Sequence, residues 1–215
     1  MTDLLLVRHG QSVSNAGLRT VRPHLTELTA VGDAQARLTA AALPEPGLIA
    51  VSPYQRARAT AQPFIDRWPA VPCVEWPVQE FTFLDPTAWD GTTAIERRPA
   101  ADAYWERADP HYAESDGAES FAQLLARVDR VRRDALAFGE GPVVVFTHGL
   151  FSKVLIWRCT DPGAAATVEG MARAREFARG FRFPNCGIVC GRLESDGATF
   201  EPADISHLPP ELRCD

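Results

Sequence analysis

Two short apolar runs in the chain each end in a histidine followed by a glycine. The first occupies residues 4–10 (LLLVRHG) and the second residues 143–149 (VVVFTHG). Each run has the length and the branched aliphatic content of a strand that is buried on both faces. Open α/β sheets bind ligands at the carboxyl ends of such strands. The two runs therefore predict an α/β fold in which His9 and His148 are delivered to one site.

The rest of the chain alternates between the patterns of strands and helices. Strands are predicted over 3–8, 48–51, 71–76, 143–147, 186–193 and 198–202. Helices are predicted over 30–42, from 52–53 to 67, over 119–138 and over 150–158. Residues 80–120 contain prolines, glycines and several aromatic residues, which is typical of an inserted, partly helical lid. We therefore expect a single domain over 1–215, built as a three-layer sandwich with a mostly parallel sheet and a small helical lid.

Three local features refine these elements. Thr29 is the predicted N-cap of the first helix, whose apolar positions at helical spacing are Val31, Ala34, Leu38 and Ala42. Ser52 and Pro53 stand as cap and first residue of the second helix. Cys186 and Cys190 are four residues apart, so a strand through both would place them on one face, in the core.

The composition excludes several classes of function. The chain has 22 lysines and arginines against 28 aspartates and glutamates, a net charge of −6, which disfavours binding to nucleic acid or to an anionic membrane. The first apolar run is too short for a signal peptide or a membrane span. Five scattered cysteines favour reduced thiols in a cytoplasmic protein. No zinc-binding spacing is present, and we expect neither a metal nor a cofactor.

Two arginines accompany the two histidines. Arg8 directly precedes His9, and Arg56 falls in the first turn of the helix that follows the strand at 48–51. Burying an arginine is costly unless an anion pairs with it, and helix N-termini themselves favour anions. The cations beside His9 should also keep this imidazole neutral, as a nucleophile must be. Two arginines, two histidines and backbone amides at one sheet edge predict a pocket for a phosphoryl group.

These residues stand in segments that resemble the histidine phosphatase superfamily, which includes the cofactor-dependent phosphoglycerate mutases. In chain order the matching segments are 6–15 (LVRHGQSVSN), 28–32 (LTAVG), 51–57 (VSPYQRA), 117–120 (GAES), 144–149 (VVFTHG) and 184–188 (PNCGI). A lone arginine-histidine-glycine would be a weak signal. The ordered set spans most of the chain and is specific.

The resemblance implies a mechanism and a set of site residues. His9 would attack phosphorus and form a phosphohistidine that water then hydrolyses. Arg8, Arg56 and a protonated His148 would balance the phosphoryl charge, which is about −1.5 to −2 at pH 7. The phosphate-binding set implied by the resemblance also contains Asn15, as a neutral donor, and Gly149.

The proton donor is the point at which the sequence departs from the family. The resemblance implies a glutamate shortly after the third strand, and Glu80 stands in the matching place. Residues 81–85 (FTFLD) replace the polar, glycine-containing stretch that is usual there, so Asp85 is the alternative donor. Structural roles remain open for both: Glu80 at the end of a strand, and Asp85 in a turn before a proline.

The favoured function is hydrolysis of a small phosphomonoester, because the lid is short and apolar. A mutase-type isomerase is the first alternative and a non-catalytic protein that binds phosphorylated ligands is the second. Two features of the lid have both a functional and a structural interpretation. Arg97 and Arg98 either contact a substrate carboxylate or form a solvated face. The aromatic set either lines a specificity pocket or packs the lid, and it comprises Phe81, Phe83, Trp89 and Trp105.

Overall fold

A computed structural model of the chain describes residues 1–214. The strands are β1 (Thr2–Arg8), β2 (Leu48–Val51), β3 (Cys73–Glu75), β4 (Val143–Thr147), β5 (Ile188–Leu193) and β6 (Ala198–Phe200). The helices are α1 (Ala30–Ala42), α2 (Gln55–Arg67), α3 (Ala94–Arg107), α4 (Phe121–Phe138), α5 (Gly149–Thr160) and α6 (Val168–Gly180). Within the described residues, no helix is long and apolar enough to cross a membrane.

The six strands form one sheet in the order β3-β2-β4-β1-β5-β6. The first four strands are mutually parallel, whereas β5 runs antiparallel to β1 and β6 antiparallel to β5. The prediction of a mostly parallel sheet is therefore confirmed. In the central pair, Arg8 at the end of β1 lies opposite Thr147 at the end of β4. This register brings His9 and His148, the next residue of each strand, to the same edge of the sheet.

Helices cover both faces of the sheet, which confirms the three-layer sandwich. Alternate side chains of a strand point to opposite faces. Leu4 and Leu6 pack into a core with α4, α5 and α6, while Leu5 and Val7 pack into a second core with α1 and α2. Because β1 and β4 are buried on both sides, their ends are held firmly where the site is built.

Helix α1 has the predicted bounds, and the Thr29 hydroxyl caps it by accepting a hydrogen bond from the N–H of Gly32. The apolar positions at helical spacing are not the buried ones. Leu38 is 37% exposed, and the buried positions are Gly32, Gln35, Ala36, Thr39 and Ala40. The buried face mixes small residues with two polar ones, and Gln35 can be fully buried there because it accepts from the backbone N–H of Gln11 and donates to the carbonyl of Leu212. Apolar periodicity cannot reveal such a face.

The start of α2 also differs from the prediction. The helix begins at Gln55 with Tyr54 as its N-cap, not at Ser52 and Pro53. The Ser52 hydroxyl accepts from the N–H of Tyr54 at 3.2 Å and lies 2.7 Å from Nε2 of His148. Ser52 thus supports the site rather than capping the helix.

The two cysteines near the C-terminus do not share the core as predicted. Cys186 is buried, but Cys190 is exposed. Cys186 precedes β5 and has a left-handed backbone conformation, with φ at 55°. The alternation of a strand therefore does not run through both residues. The sequence analysis also missed α6, and β3 is shorter than the predicted strand at 71–76.

The segment over 80–120 contains α3 and is anchored by aromatic packing, in agreement with a partly helical lid. Thr93 and Glu96 form a reciprocal capping box at the start of α3. Tyr104 of this helix is buried against Phe83, with ring centroids 4.7 Å apart, and Trp105 packs edge-on against Phe121 of α4. These contacts fix the lid on the α4 side of the sheet.

Candidate active site

Two histidines meet at the carboxyl edge of the sheet. His9 follows β1 and is 4% exposed, whereas His148 follows β4, is fully buried and is the N-cap residue of α5. Their ring centroids are 5.1 Å apart. The structure thus brings together the two residues that the paired apolar runs predicted at one site.

The hydrogen bonds of His9 define which ring nitrogen carries the lone pair. Nε of Arg56 donates to Nε2 of His9 at 3.1 Å, and Nδ1 of His9 lies 2.8 Å from the carbonyl oxygen of Gly10. A guanidinium can only donate, so Nε2 must accept. Nδ1 then carries the proton and donates to Gly10. The ring is therefore oriented with its lone pair on Nε2, where it accepts from Arg56.

Arg56 is the second residue of α2 and is only 7% exposed. Besides its bond to His9, it donates through Nη1 to the carbonyl oxygen of Pro23 at 2.6 Å, and its guanidinium lies over the ring of Tyr54. Burial lowers the pKa of Arg56 to about 10, so the group stays charged at neutral pH. The start of α2 and the loop at Pro23 thereby fix the cation of Arg56 against the imidazole of His9.

Arg8 supplies a second cation at the end of β1. Its Nη1 donates to the carbonyl oxygen of Phe183 at 2.5 Å. The first residue of α5, Gly149, lies against this guanidinium, since a Cβ at Gly149 would be 3.4 Å from Nε of Arg8. The pKa of His9 is held well below its ordinary value by burial first, and then by the charges of Arg56 and Arg8. His9 is consequently neutral at pH 7, as the sequence predicted.

His148 is also neutral at pH 7. Burial, followed by the neighbouring charge of Arg56, holds the pKa of His148 well below its ordinary value. The expectation of a protonated His148 therefore does not describe the site without an anion. Its Nε2 is engaged by Ser52, but its buried Nδ1 has no hydrogen-bond partner within residues 1–214. A buried ring nitrogen without a partner is costly, and a phosphoryl oxygen would complete it.

Glu80 lies at the N-terminus of α5. Its carboxylate accepts three backbone N–H bonds: Leu150 at 3.1 Å, Phe151 at 2.9 Å and Phe81 at 3.1 Å. Two of these donors, those of Leu150 and Phe151, belong to the first turn of α5, whose N–H groups otherwise lack partners in the helix. The positive end of α5 therefore holds the carboxylate of Glu80, and the same helix starts at Gly149, directly after His148.

The alternative donor, Asp85, lines the same cleft but is bound differently. Its Oδ1 accepts from the N–H groups of Thr87 at 2.7 Å and Ala88 at 3.1 Å. These backbone bonds hold the pKa of Asp85 below its ordinary value. The pattern is that of a side chain that stabilises a turn.

Asn15 and Asn185 tie the loop after His9 to the β5 side of the sheet. The Oδ1 of Asn15 accepts from the N–H and the hydroxyl of Ser12, which orients the side chain of Asn15 at the cleft. The fully buried Asn185 donates through one nitrogen to the carbonyl of His9 at 3.0 Å and to Oδ1 of Asn15 at 3.2 Å. The segment at 184–188 is one of those that resemble the family, but only these long-range bonds show that Asn185 supports the site.

A cleft of 340 Å³ extends from the histidine end of the site to the lid. One end is lined by cations and polar groups, namely Arg8, His9, Asn15, Arg56 and Glu80. The other end is lined by apolar side chains of the lid, among them Phe81, Phe83, Leu84 and Trp89. Three of the four aromatic residues considered for a specificity pocket line this cleft. The fourth, Trp105, does not line it and packs against the core.

The site thus places a neutral imidazole beside two guanidinium groups. In the described part of the chain, no group of three histidine, cysteine or acidic side chains is placed to hold a metal ion. The polar end of the cleft combines two guanidinium groups, the imidazole of His9 and the carboxylate of Glu80, and the fully buried His148 lies behind His9 without lining the cleft.

The same arrangement can be compared with known proteins. A comparison with proteins of curated function finds no match. A mycobacterial glucosyl-3-phosphoglycerate phosphatase in complex with VO3 superposes with a TM-score of 0.71 at 23% identity, over 95% of this chain and 98% of that one. A mutant phosphoserine phosphatase from Entamoeba histolytica, in complex with phosphoserine, has a TM-score of 0.72 at 22% identity, over 97% and 100% of the two chains.

A third structure, the alpha-ribazole phosphatase from Shigella flexneri, superposes with a TM-score of 0.69 at 22% identity, covering 94% of this chain and 96% of that one. At these identities the structures show a shared fold. The sequence evidence is more specific, since the model of the Histidine phosphatase superfamily (branch 1) matches residues 4–201. This match includes both histidine-glycine runs and Arg56, and the chain therefore belongs to the histidine phosphatase superfamily.

Proposed function

We propose that the protein is a metal-independent phosphomonoesterase that hydrolyses a small phosphorylated substrate through a phosphohistidine on His9. The observation that carries the proposal is the orientation of this imidazole. Its proton is fixed on Nδ1 by the Gly10 carbonyl, and its lone pair on Nε2 lies beside a buried cation. A neutral, oriented nucleophile next to positive charge is what in-line phosphoryl transfer requires.

In the first step, Nε2 of His9 attacks phosphorus as the bond between phosphorus and the ester oxygen breaks. Arg8 and Arg56 supply two positive charges opposite a group that carries about −1.5 to −2 at pH 7. Asn15 adds a neutral donor, the buried and unpartnered Nδ1 of His148 would donate to a phosphoryl oxygen, and Gly149 lies against the guanidinium of Arg8. Glu80, in its protonated form, gives its proton to the departing alkoxide.

In the second step, water attacks the phosphohistidine and the bond between phosphorus and Nε2 breaks. Glu80 takes the proton from this water, so His9 returns to its neutral state and Glu80 to its protonated state. Both oxygens of Glu80 accept N–H bonds in the structure, and this arrangement suits the carboxylate, the form that receives the proton. Two easier displacements replace one difficult one.

The test is to trap the covalent intermediate. The protein is mixed with p-nitrophenyl phosphate, quenched without acid and analysed by mass spectrometry for an added phosphate. The adduct should appear in the native protein and in the control His111→Gln, whose histidine is exposed on the lid side, and be absent from His9→Gln. An adduct that persists in His9→Gln would overturn the assignment.

The same material separates hydrolysis from isomerisation. Release of inorganic phosphate from p-nitrophenyl phosphate is measured beside the conversion of 3-phosphoglycerate to its isomer. Faster isomerisation than hydrolysis would replace the phosphatase by the mutase-type alternative. Binding of inorganic phosphate without turnover of either compound would favour a non-catalytic protein.

A further inference from the structure

The chain between the end of β3 and Glu80 belongs to no strand or helix. The position of Glu80 therefore depends on what holds residues 76–79. The carbonyl oxygens of residues 77, 78 and 79 each accept a hydrogen bond from a side chain. The middle one is bound at 2.7 Å by the hydroxyl of Thr147, the last residue of β4. The other two are both bound by Arg127 of α4, which thus holds the chain directly before the proposed proton donor.

The guanidinium of Arg127 has acceptors on two sides. Its Nη1 donates to the carbonyls of Pro77 at 2.8 Å and of Gln79 at 2.7 Å. Its Nε and Nη2 donate to the two carboxylate oxygens of Glu119, at 2.8 Å and 2.6 Å. Four of the five N–H donors of the guanidinium are thus engaged. A lysine has no planar fork and could not bind one carboxylate and two carbonyls in this geometry.

The ion pair between Arg127 and Glu119 is largely buried. The side chain of Arg127 is 9% exposed and that of Glu119 is 20% exposed. A buried ion pair often adds little to stability, because the cost of taking both charges out of water offsets their attraction. Its bidentate geometry does fix the plane of the guanidinium, and with it the direction in which Nη1 meets the two carbonyls. The pair is therefore better explained by positioning than by stabilisation.

The same pair holds the chain on both sides of Glu80. Arg127 binds the carbonyls before Glu80, and the backbone N–H of Glu119 donates at 2.8 Å to the carbonyl of Thr82, two residues after it. The guanidinium of Arg127 also lies over the ring of Phe151, 4.7 Å from its centroid. The N–H of Phe151 is one of those that bind the carboxylate of Glu80. Arg127 therefore contacts both the backbone that carries Glu80 and the helix start that receives its side chain.

We propose that Arg127, held by Glu119, is a positioning residue for the proton donor and fixes Glu80 at the start of α5. This inference rests on the proposed phosphatase function, in which Glu80 transfers the proton. Arg127 does not line the cleft, so its effect on the reaction passes through Glu80. Loss of Arg127 should slow the step that Glu80 assists and leave the attack by His9 intact.

The test compares two esters that carry the same phosphoryl group. An alkoxide needs a proton as it leaves, whereas p-nitrophenolate leaves readily without one, so the cleavage of an alkyl ester depends far more on Glu80. The quantity measured is kcat/KM for p-nitrophenyl phosphate divided by kcat/KM for glycerol 3-phosphate. Both values come from one sample, so their ratio does not depend on the fraction of protein that is folded.

The ratio should rise by about 10- to 100-fold in Arg127→Met, as expected for a displaced general acid. It should keep its native value in the control Arg130→Gln, which removes an exposed arginine paired with Asp134 on the same helix. An unchanged ratio in Arg127→Met would overturn the proposal, because damage to the whole site slows both esters equally.

A double variant shows whether Arg127 acts through Glu80. Where Glu80→Gln has already removed the proton donor, the addition of Arg127→Met should not raise the ratio further. A further rise would overturn the proposal, since Arg127 would then act by another route. Glu119→Gln leaves Arg127 in place but weakens its support, so the ratio should rise by less than in Arg127→Met. A native ratio in Glu119→Gln would overturn the part assigned to Glu119.

Arg127→Lys separates geometry from charge, and it is the milder change if Arg127→Met does not fold. The charge of Arg127 adds to burial, Arg56 and His9 in lowering the pKa of His148. A lysine keeps this charge but lacks the fork, so the ratio should still rise, by less than in Arg127→Met. A native ratio in Arg127→Lys would overturn the positioning role.

Hydrogen exchange keeps this test apart from the phosphatase proposal, which fails if the native protein hydrolyses neither ester. The first N–H groups of a helix have no partner within it, so the protection of the Leu150 and Phe151 amides depends on Glu80. By NMR, both amides should exchange about 10-fold faster in Arg127→Met than in the native protein or in Arg130→Gln. Equal exchange in the three proteins would show that Arg127 does not position Glu80.

Discussion

The two buried histidines make the stability of the fold depend on pH. The pKa of His9 and that of His148 are both held well below the ordinary value of 6.5 in the folded protein. In the unfolded chain both imidazoles return to that ordinary value. As pH falls through 6.5, the unfolded chain takes up protons that the folded protein does not, so the free energy of unfolding decreases. The stability is present in full above about pH 7 and is lost on acidification.

The magnitude follows from the pKa of the unfolded state alone. At pH 5.5, one pH unit below 6.5, protonation stabilises the unfolded chain by about 1.4 kcal/mol for each histidine that stays neutral in the fold. His9 and His148 together should therefore lower the free energy of unfolding by about 3 kcal/mol between pH 8 and pH 5.5. The half-buried His207, whose pKa is also lowered by burial, acts with the same sign. Carboxylates whose pKa values are lowered titrate at more acidic pH and contribute little in this window.

Urea denaturation at pH 8 and pH 5.5 measures the effect. The native protein is compared with His9→Gln and with His111→Gln, which replaces an exposed histidine. The loss of stability on acidification should be smaller by about 1.4 kcal/mol in His9→Gln than in the native protein. It should be the same in His111→Gln as in the native protein. An equal loss in His9→Gln and the native protein would contradict this prediction, because it would mean that His9 is protonated in the folded state at pH 5.5.

Three further substitutions test the site and its support. In steady-state kinetics, Glu80→Gln should slow the hydrolysis of alkyl phosphates by about 10²- to 10⁴-fold and that of p-nitrophenyl phosphate far less. If Asp85→Asn shows this pattern and Glu80→Gln does not, Asp85 is the proton donor. Asn185→Ala removes two buried hydrogen bonds worth about 1 kcal/mol each, so urea denaturation should show a free energy of unfolding lower by about 2 kcal/mol. The kcat should also fall. An unchanged kcat would show that Asn185 does not position the site. Gly32→Ala should lose about 1–3 kcal/mol because a Cβ there overlaps the carbonyl of the loop after β1, whereas the control Gly180→Ala, with open space around it, should lose nothing.

The central residues of the site could be predicted because they depend on short-range patterns. His9 and His148 terminate strands that are recognisable from their apolar runs, and the rule that parallel strands share a carboxyl edge places them together. Arg56 could be placed at the same edge because it lies in the first turn of the helix that follows β2. In each case the local sequence determines the element, and the sheet determines the position.

The supporting residues could not be predicted because their partners are far along the chain. Ser52 has the composition of a helix cap, and only its contact with His148, 96 residues away, shows its place in the site. Asn185 bonds to the carbonyl of His9 from a distance of 176 residues. The buried face of α1 was missed for the same reason, since Gln35 is buried by its bonds to Gln11 and to the C-terminal segment and not by its own polarity.

The start of α5 shows how the fold divides its positive groups between two tasks. A helix N-terminus beside a phosphoryl pocket would ordinarily be assigned to the phosphate. Here the N–H groups of Leu150 and Phe151 are directed at Glu80, so in the proposed mechanism the charge opposite the phosphoryl group is left to Arg8 and Arg56. Since α5 begins at Gly149, one helical turn fixes the position of Glu80 relative to His148. Glu80 is also the first residue of the lid segment at 80–120, which carries Arg97 on the wall of the cleft. The lid and the reacting centre are therefore joined at the residue to which the proton transfer is assigned.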